Sequence, residues 1–212
     1  MQPFFIGWFN MSSFTQMASN ALQQLGAAPI SDIAENTGRA KRVNAIYQDV
    51  RDAVIRDARW NFALERVQLA ALADAPAFTW SKQHQLPENP YCLRVVQVYS
   101  GDDRIDHVVE GRRVLSDYST INLLYLKRVT DPAQFDALFT EAYEARLAAE
   151  LAISITGSRG ISQDFWKTYD MKITNARLVD SQEGTPAAIQ ANSLVDVRRR
   201  TFVVDDQNIT VP

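Results

Sequence analysis

Residues 39–72 constrain the fold more than any other stretch, because their hydrophobic period changes once and at one place. Val43, Tyr47, Val50 and Val54 recur at helical spacing among charged residues, which predicts an amphipathic helix over 39–58. From Leu64 to Leu72 apolar and polar residues alternate, as on a half-buried strand. The switch falls at Trp60-Asn61-Phe62-Ala63, so helix and sheet are expected to meet there with the Trp60 ring largely buried between them.

Upstream, Ser13-Phe14-Thr15-Gln16 has the form of a capping box, and Phe14, Met17, Ala18, Ala21, Leu22 and Leu25 predict a first helix over 13–25, before Gly26. Residues 27–33 form a connector around Pro29, and Asn36 or Thr37 caps the second helix. Downstream, short runs between turn residues predict strands at 63–72, 78–85, 91–100, 105–109, 112–116 and 121–129. Glu110-Gly111 and Ser100-Gly101-Asp102-Asp103 read as hairpin turns, and the two prolines of 86–90 require a loop. Asp131-Pro132 is expected to restart the helical structure, with Phe135, Leu138, Ala142, Ala145, Ala149 and Ala152 as a seam and Leu147, Leu151 and Ile155 facing other partners. Gly157-Ser158-Arg159-Gly160 turns the chain, and Ser162 opens a fourth helix with Trp166, Tyr169, Ile173 and Ala176 as its stripe.

From Gly184 neither period persists, which predicts an extended arm with a short strand at 201–204. The expected fold class is therefore α+β: an antiparallel four-helix bundle, residues 13–60 plus 131–183, with an antiparallel β module, 61–130, inserted into it. An N-terminal arm, 1–12, and an extended C-terminal arm, 184–212, flank these parts.

Composition narrows the function classes. A net charge of -3 argues against a protein that grips nucleic acid through a basic face, and Arg198-Arg199-Arg200 is the one dense basic cluster. It reads as a contact to DNA phosphates, a solvated turn, or a salt bridge to a partner. A single cysteine, Cys92, excludes an internal disulfide and suits assembly in a reducing cytoplasm; with only His84 and His107 beside it, no metal-ligand spacing arises. The apolar N-terminus lacks a basic lead and falls far short of the roughly 20 residues that span a bilayer. It reads either as an aromatic arm that docks on a neighbouring subunit through Phe4, Phe5 and Trp8, or as a lead upstream of a start at Met11.

No nucleophile elbow, P-loop or zinc-protease motif is present, and Glu65, Glu110 and Asp102-Asp103 occupy positions typical of surface charges. No catalytic residue, metal or cofactor is expected. Gly157-Ser158-Arg159-Gly160 matches the clamp of an RNA-binding KH module but lacks its strand-helix-helix-strand setting. Trp60, Phe62, Trp80 and Tyr91 read either as a stacking platform or, more simply, as core where helix meets sheet.

Asn20-Ala21-Leu22-Gln23-Gln24-Leu25-Gly26-Ala27-Ala28-Pro29-Ile30, then a helix rich in Ala, Arg and Asp, then Trp60-Asn61-Phe62-Ala63, resemble the tail tubular protein A family. These are the head-to-tail adaptors of short-tailed bacteriophages. Leu86-Pro87 leading into a strand and a late helical pair extend the likeness, which is clear over 14–71 and continues to about residue 180. The aromatic N-terminal extension and the long C-terminal segment depart from the family pattern.

The resemblance implies a structural virion protein at the head-tail junction, assembled in the host cytoplasm. It implies a ring of twelve copies bound to the portal protein and the tail nozzle protein, through which DNA passes without specific binding during genome ejection. No membrane contact is implied. The ends would supply partner contacts through Phe4, Phe5 and Trp8 and through Ile189, Leu194, Val195, Arg198, Arg199, Arg200, Phe202 and Val203. The rival expectation is a virion-associated tail protein that binds or hydrolyses glycans on the β module.

Overall fold

Ser13 opens the first described helix as its sequence requires. Its Oγ accepts the Gln16 N–H at 3.1 Å and caps α1, Phe14–Gln24. The capping box is only half made, because the Gln16 side chain turns outward and donates to Asn20 Oδ1 instead. Gly26, with φ +73°, lets the chain reverse after α1. The connector is then clamped to the helix by the buried Ser19, whose Oγ both donates to the Ile30 carbonyl and accepts the Ile30 N–H. Thr37, one of the two expected caps, accepts the Ala40 N–H and opens α2, Gly38–Asp57.

A computed structural model describes residues 13–182 of the chain. They hold four helices and seven strands in two antiparallel sheets, a mixed α/β fold. A single turn of 3₁₀ helix, Asn61–Ala63, joins α2 to β1, Leu64–Ala70. The remaining strands are β2, Lys82–Gln85; β3, Cys92–Ser100; β4, Asp103–Arg104; β5, Val108–Glu110; β6, Arg113–Ser116; and β7, Thr120–Lys127. The first sheet runs β1-β7-β3-β4 and the second β2-β6-β5. Two helices follow, α3, Ala137–Thr156, and α4, Arg159–Gln182. The described residues up to Asp180 belong to one compact unit, and the expected arms, 1–12 and 184–212, lie outside the described residues.

Several boundaries differ from expectation, each for a local reason. Residues 78–81 are not strand: Thr79 adopts φ 71°, which breaks an extended run, and Ser81 is held by the Asp117 carboxylate. The run at 105–109 is strand only at its end: β4 occupies 103–104, overlapping the expected turn, and β5 begins at Val108, while Ile105 between them is buried in the core. Asp131 caps only a 3₁₀ turn, Pro132–Gln134; the helix proper waits for Asp136, whose Oδ1 accepts the Leu138 and Phe139 N–H groups. Phe135 thus precedes α3 and inserts its ring among Phe14, Phe62 and Phe139. The second turn shortens to Gly157-Ser158, so Ser162 lies inside α4, where its Oγ donates to the Ala149 carbonyl of α3.

Two cores result. The first gathers Met17, Ala21 and Leu22 of α1, Val43, Val50 and Val54 of α2, Phe139, Ala142 and Leu147 of α3, and Tyr169, Ile173 and Ala176 of α4. Trp60, Leu93, Leu126 and Val129 join it from the β region. Helix α3 is buried nearly all round, Leu147 and Leu151 included, as their off-seam positions required. The second core lies between the sheets, where Ile121, Leu123 and Tyr125 of β7 meet Val98, Val114 and Leu86. Each large side chain so buried contributes roughly 1.5 to 3 kcal/mol.

One polar contact tunes the α1–α3 interface. Asn20 Nδ2 donates to Glu144 Oε1 at 2.7 Å, and burial raises the Glu144 pKa above the usual carboxylate value despite that bond. A raised carboxyl pKa adds stability that is complete below the unfolded-state pKa and lost as pH rises through the folded one. Glu144→Gln, which keeps the acceptor oxygen, is expected to melt higher than the parent at neutral pH. The two melting curves should converge below about pH 4; a neutral-pH melting temperature equal to or below the parent's would refute this.

Candidate functional site

The carboxylates and histidines of the described residues are dispersed or already engaged. Glu65 is ion-paired with Lys127 at 2.7 Å, whereas Glu110, Asp102 and Asp103 are exposed, as their sequence positions suggested. His84 is fully buried with Nδ1 3.4 Å from the Val114 carbonyl oxygen, and His107 Nδ1 lies 3.2 Å from the Ile105 carbonyl oxygen. Burial pushes the Cys92 thiol up to about 11, although Arg112 and Arg56 pull it back, so the thiolate is scarce at neutral pH. Among the described residues no three His, Cys, Asp or Glu side chains are grouped to hold a metal.

The four aromatic residues of the stacking reading do not converge. Trp60 and Phe62 belong to the helical core, with Trp60 edge-on to Phe139 at 5.1 Å between ring centroids. Trp80 lines a polar groove of about 800 Å³ over the second sheet, together with Phe78, which is 81% exposed, and with Gln83, Arg113 and Glu110. Tyr91 is taken up elsewhere: its ring is in cation–π contact with the guanidiniums of Arg112, 4.0 Å from the centroid, and Arg128, at 4.5 Å.

Tyr91 and Arg112 of that contact also line a cavity that gathers three arginines. The cavity, of about 440 Å³, is lined by Arg56 from the last turn of α2, Arg94 from β3 and Arg112 from the β5–β6 hairpin, with Tyr91, Cys92 and Val109 beside them. Arg112 is fixed: it donates to the Cys92 carbonyl at 2.7 Å and to the Pro87 carbonyl at 2.6 Å. Arg56 donates to the Leu93 carbonyl. Burial and the charges of Arg56 and Arg177 lower the Arg94 pKa, and Asp57 only partly opposes them.

Next to it, the end of α2 is closed by side chains. Trp60 Nε1 donates to the Val54 carbonyl at 2.9 Å and Arg177 donates to the Asp57 carbonyl, two of the four carbonyls a helix C-terminus leaves without backbone partners. The Asp57 carboxylate accepts from Arg146 Nη1 and from Tyr169 OH, each at 2.5 Å. Burial, then that bond to Asp57, raises the Tyr169 pKa, so the phenol stays protonated.

The sequence-predicted partner residues Phe4, Phe5, Trp8, Ile189, Leu194, Val195, Arg198, Arg199, Arg200, Phe202 and Val203 all lie outside the described residues. The arginine cavity was not legible in sequence. Arg56, Arg94 and Arg112 are far apart along the chain, no two share a local period, and only the packing of the β3 and β5–β6 segments beside α2 brings them together.

No known protein-family model matches the chain, and no curated protein matches it either.

Proposed function

We propose that the chain is a head-to-tail adaptor of a short-tailed bacteriophage, a non-enzymatic virion protein that joins the portal to the tail nozzle. The observation that carries this reading is the ordered likeness over Asn20 to Ile30 and Trp60 to Ala63. Both segments supply one core: Ala21, Leu22, Ile30, Trp60 and Ala63 pack in the same cluster. In this reading α1 to α4 form an antiparallel four-helix bundle, residues 61–130 are a β module inserted into it, and 184–212 are an extended arm. Copies meet through unlike faces, and such heterologous contacts close into a ring, here of twelve, around the DNA channel. The ends tie the ring to portal and nozzle, with many weak contacts summed around the ring. No described helix is long and apolar enough to cross a membrane. In this reading the protein assembles in the host cytoplasm and ends in the virion tail.

One observation favours a second reading, a virion-associated tail protein that binds or hydrolyses glycans. The Phe78–Trp80 groove offers aromatic faces beside amide, carboxylate and guanidinium groups, the mixture that sugar rings use.

The deciding experiment combines the full chain with portal rings from the same phage and images the mixture by electron microscopy. A closed ring of twelve copies on the portal is expected, and a chain truncated after residue 183 should remain folded by circular dichroism yet fail to join portal to nozzle. Portal particles that stay bare, or normal joining by the truncated chain, would defeat the adaptor reading. Turnover of a host polysaccharide that disappears on changing one groove carboxylate would establish the second.

A further inference from the structure

The cavity between the end of α2 and strand β3 holds more positive charge than the fold uses. Arg56, Arg94 and Arg112 all line it, and none of the three is ion-paired among the described residues. The carboxylates of the last turns of α2 are committed elsewhere, Asp52 to Arg51 and Arg128, and Asp57 to Arg146 and Tyr169. Glu110, next in sequence to the lining residue Val109, opens onto the other groove. Like charges gathered in a half-buried space repel one another, and a bound anion offsets that cost.

The three guanidiniums differ in what holds them. Arg112 is pinned by two carbonyls and by the Tyr91 ring, and Arg56 by the Leu93 carbonyl. Arg94 makes no side-chain hydrogen bond or ion pair among the described residues, and the nearby Asp57 carboxylate offsets the charges of Arg56 and Arg177 on it only in part, so its planar fork of donors is open to a ligand. Arginine forks match tetrahedral oxyanions through paired N–H···O bonds, and a doubly charged oxyanion answers three cations better than a single carboxylate does. The Tyr91 ring is already occupied by two guanidiniums, those of Arg112 and Arg128, so recognition rests on charge and oxygen geometry rather than on base stacking.

We propose that this cavity is a binding site for a phosphate dianion, free or as the monoester of a small organic group, gripped by Arg94 against the fixed walls of Arg56 and Arg112. Leu86 and Val109 line the remaining space and suit a short apolar tail on the ester. The site stands on these contacts alone and holds whether or not the chain is an adaptor.

The test is calorimetric titration of the full chain with inorganic phosphate and with glycerol phosphate, in chloride buffer at constant ionic strength. Saturable binding at one site is expected for both. Arg94→Gln should weaken it by at least about tenfold, equivalent to about 1.4 kcal/mol, with the melting temperature of the unliganded protein unchanged. Arg94→Lys, which keeps the charge but not the fork, should lose less than Arg94→Gln. The proposal is overturned by the absence of saturable binding with either ligand, by equal affinity in Arg94→Gln, or by acetate binding as well as phosphate. Tighter binding of a single-stranded oligonucleotide without a terminal phosphate would also overturn it, in favour of a nucleic-acid backbone.

Discussion

Trp60→Ala is expected to lower the free energy of unfolding by about 3 to 5 kcal/mol, the usual cost of truncating a large aromatic side chain in a core. Trp60 is 2% exposed and lies where α2 gives way to β1, so the void would open in the wall shared by helices and sheet. Its ring is edge-on to Phe139 and tilted against Phe62 at 6.0 Å, and Phe139 in turn meets Phe135 and Tyr143, so the loss reaches both ends of the aromatic cluster. A second component is polar. The indole N–H satisfies the Val54 carbonyl, and without it that buried oxygen loses its side-chain partner. Trp60→Phe separates the two effects: it keeps most of the apolar volume and should cost about 1 to 2 kcal/mol. Denaturant unfolding of the full chain measures both. A Trp60→Ala loss under about 1 kcal/mol would mean that the ring is not core.

The Trp60 junction was legible because a change of hydrophobic period is a local signal with a tertiary consequence. The helix caps Ser13 and Thr37 and the hairpin glycines Gly101 and Gly111, with φ of 59° and 55°, were legible for the same reason: each satisfies a backbone requirement within a few residues. The misread boundaries are places where a distant group decided. Asp131 and Asp136 are both competent caps, and the choice between them depends on whether Phe135 is helical or free to reach Phe14. The 78–81 run has the composition of a strand, but Asp117 holds Ser81 in a loop. Buried charge was least legible of all. Arg51 lies on the second helix among residues that read as a solvated face, yet it is 4% exposed, because Asp52 pairs with it at 2.7 Å and the Phe14 ring covers its guanidinium. Nothing in the period of α2 marks it, and the same holds for the arginines of the cavity.

The largest polar effect is expected at Asp57. One carboxylate oxygen receives Arg146 of α3 and Tyr169 of α4, so this side chain ties the end of α2 to both later helices. Fully buried pairs cost about 3 to 5 kcal/mol when one partner is removed, and exposed pairs less than about 1 kcal/mol. This pair lies between those limits, since the Arg146 side chain is 18% exposed and that of Asp57 39%. Asp57→Ala should therefore cost about 2 to 3 kcal/mol. The reason is the charge left behind: Arg146 Nε is already buried without a partner among the described residues, so the guanidinium would keep only the Tyr169 hydroxyl at 3.2 Å and the faces of Trp166 and Tyr169. Removing the charge first should remove most of the penalty. In an Arg146→Met background, Asp57→Ala is expected to cost less than about 1 kcal/mol, a coupling that a double-mutant cycle reads directly. Tyr169→Phe, which removes the hydroxyl's bond to Asp57 and the longer one it accepts from Arg146 but no charge, should cost about 1 to 2 kcal/mol. Equal Asp57→Ala penalties in the two backgrounds would show that Asp57 acts alone, through the helix end, and that the three-helix tie contributes nothing to stability.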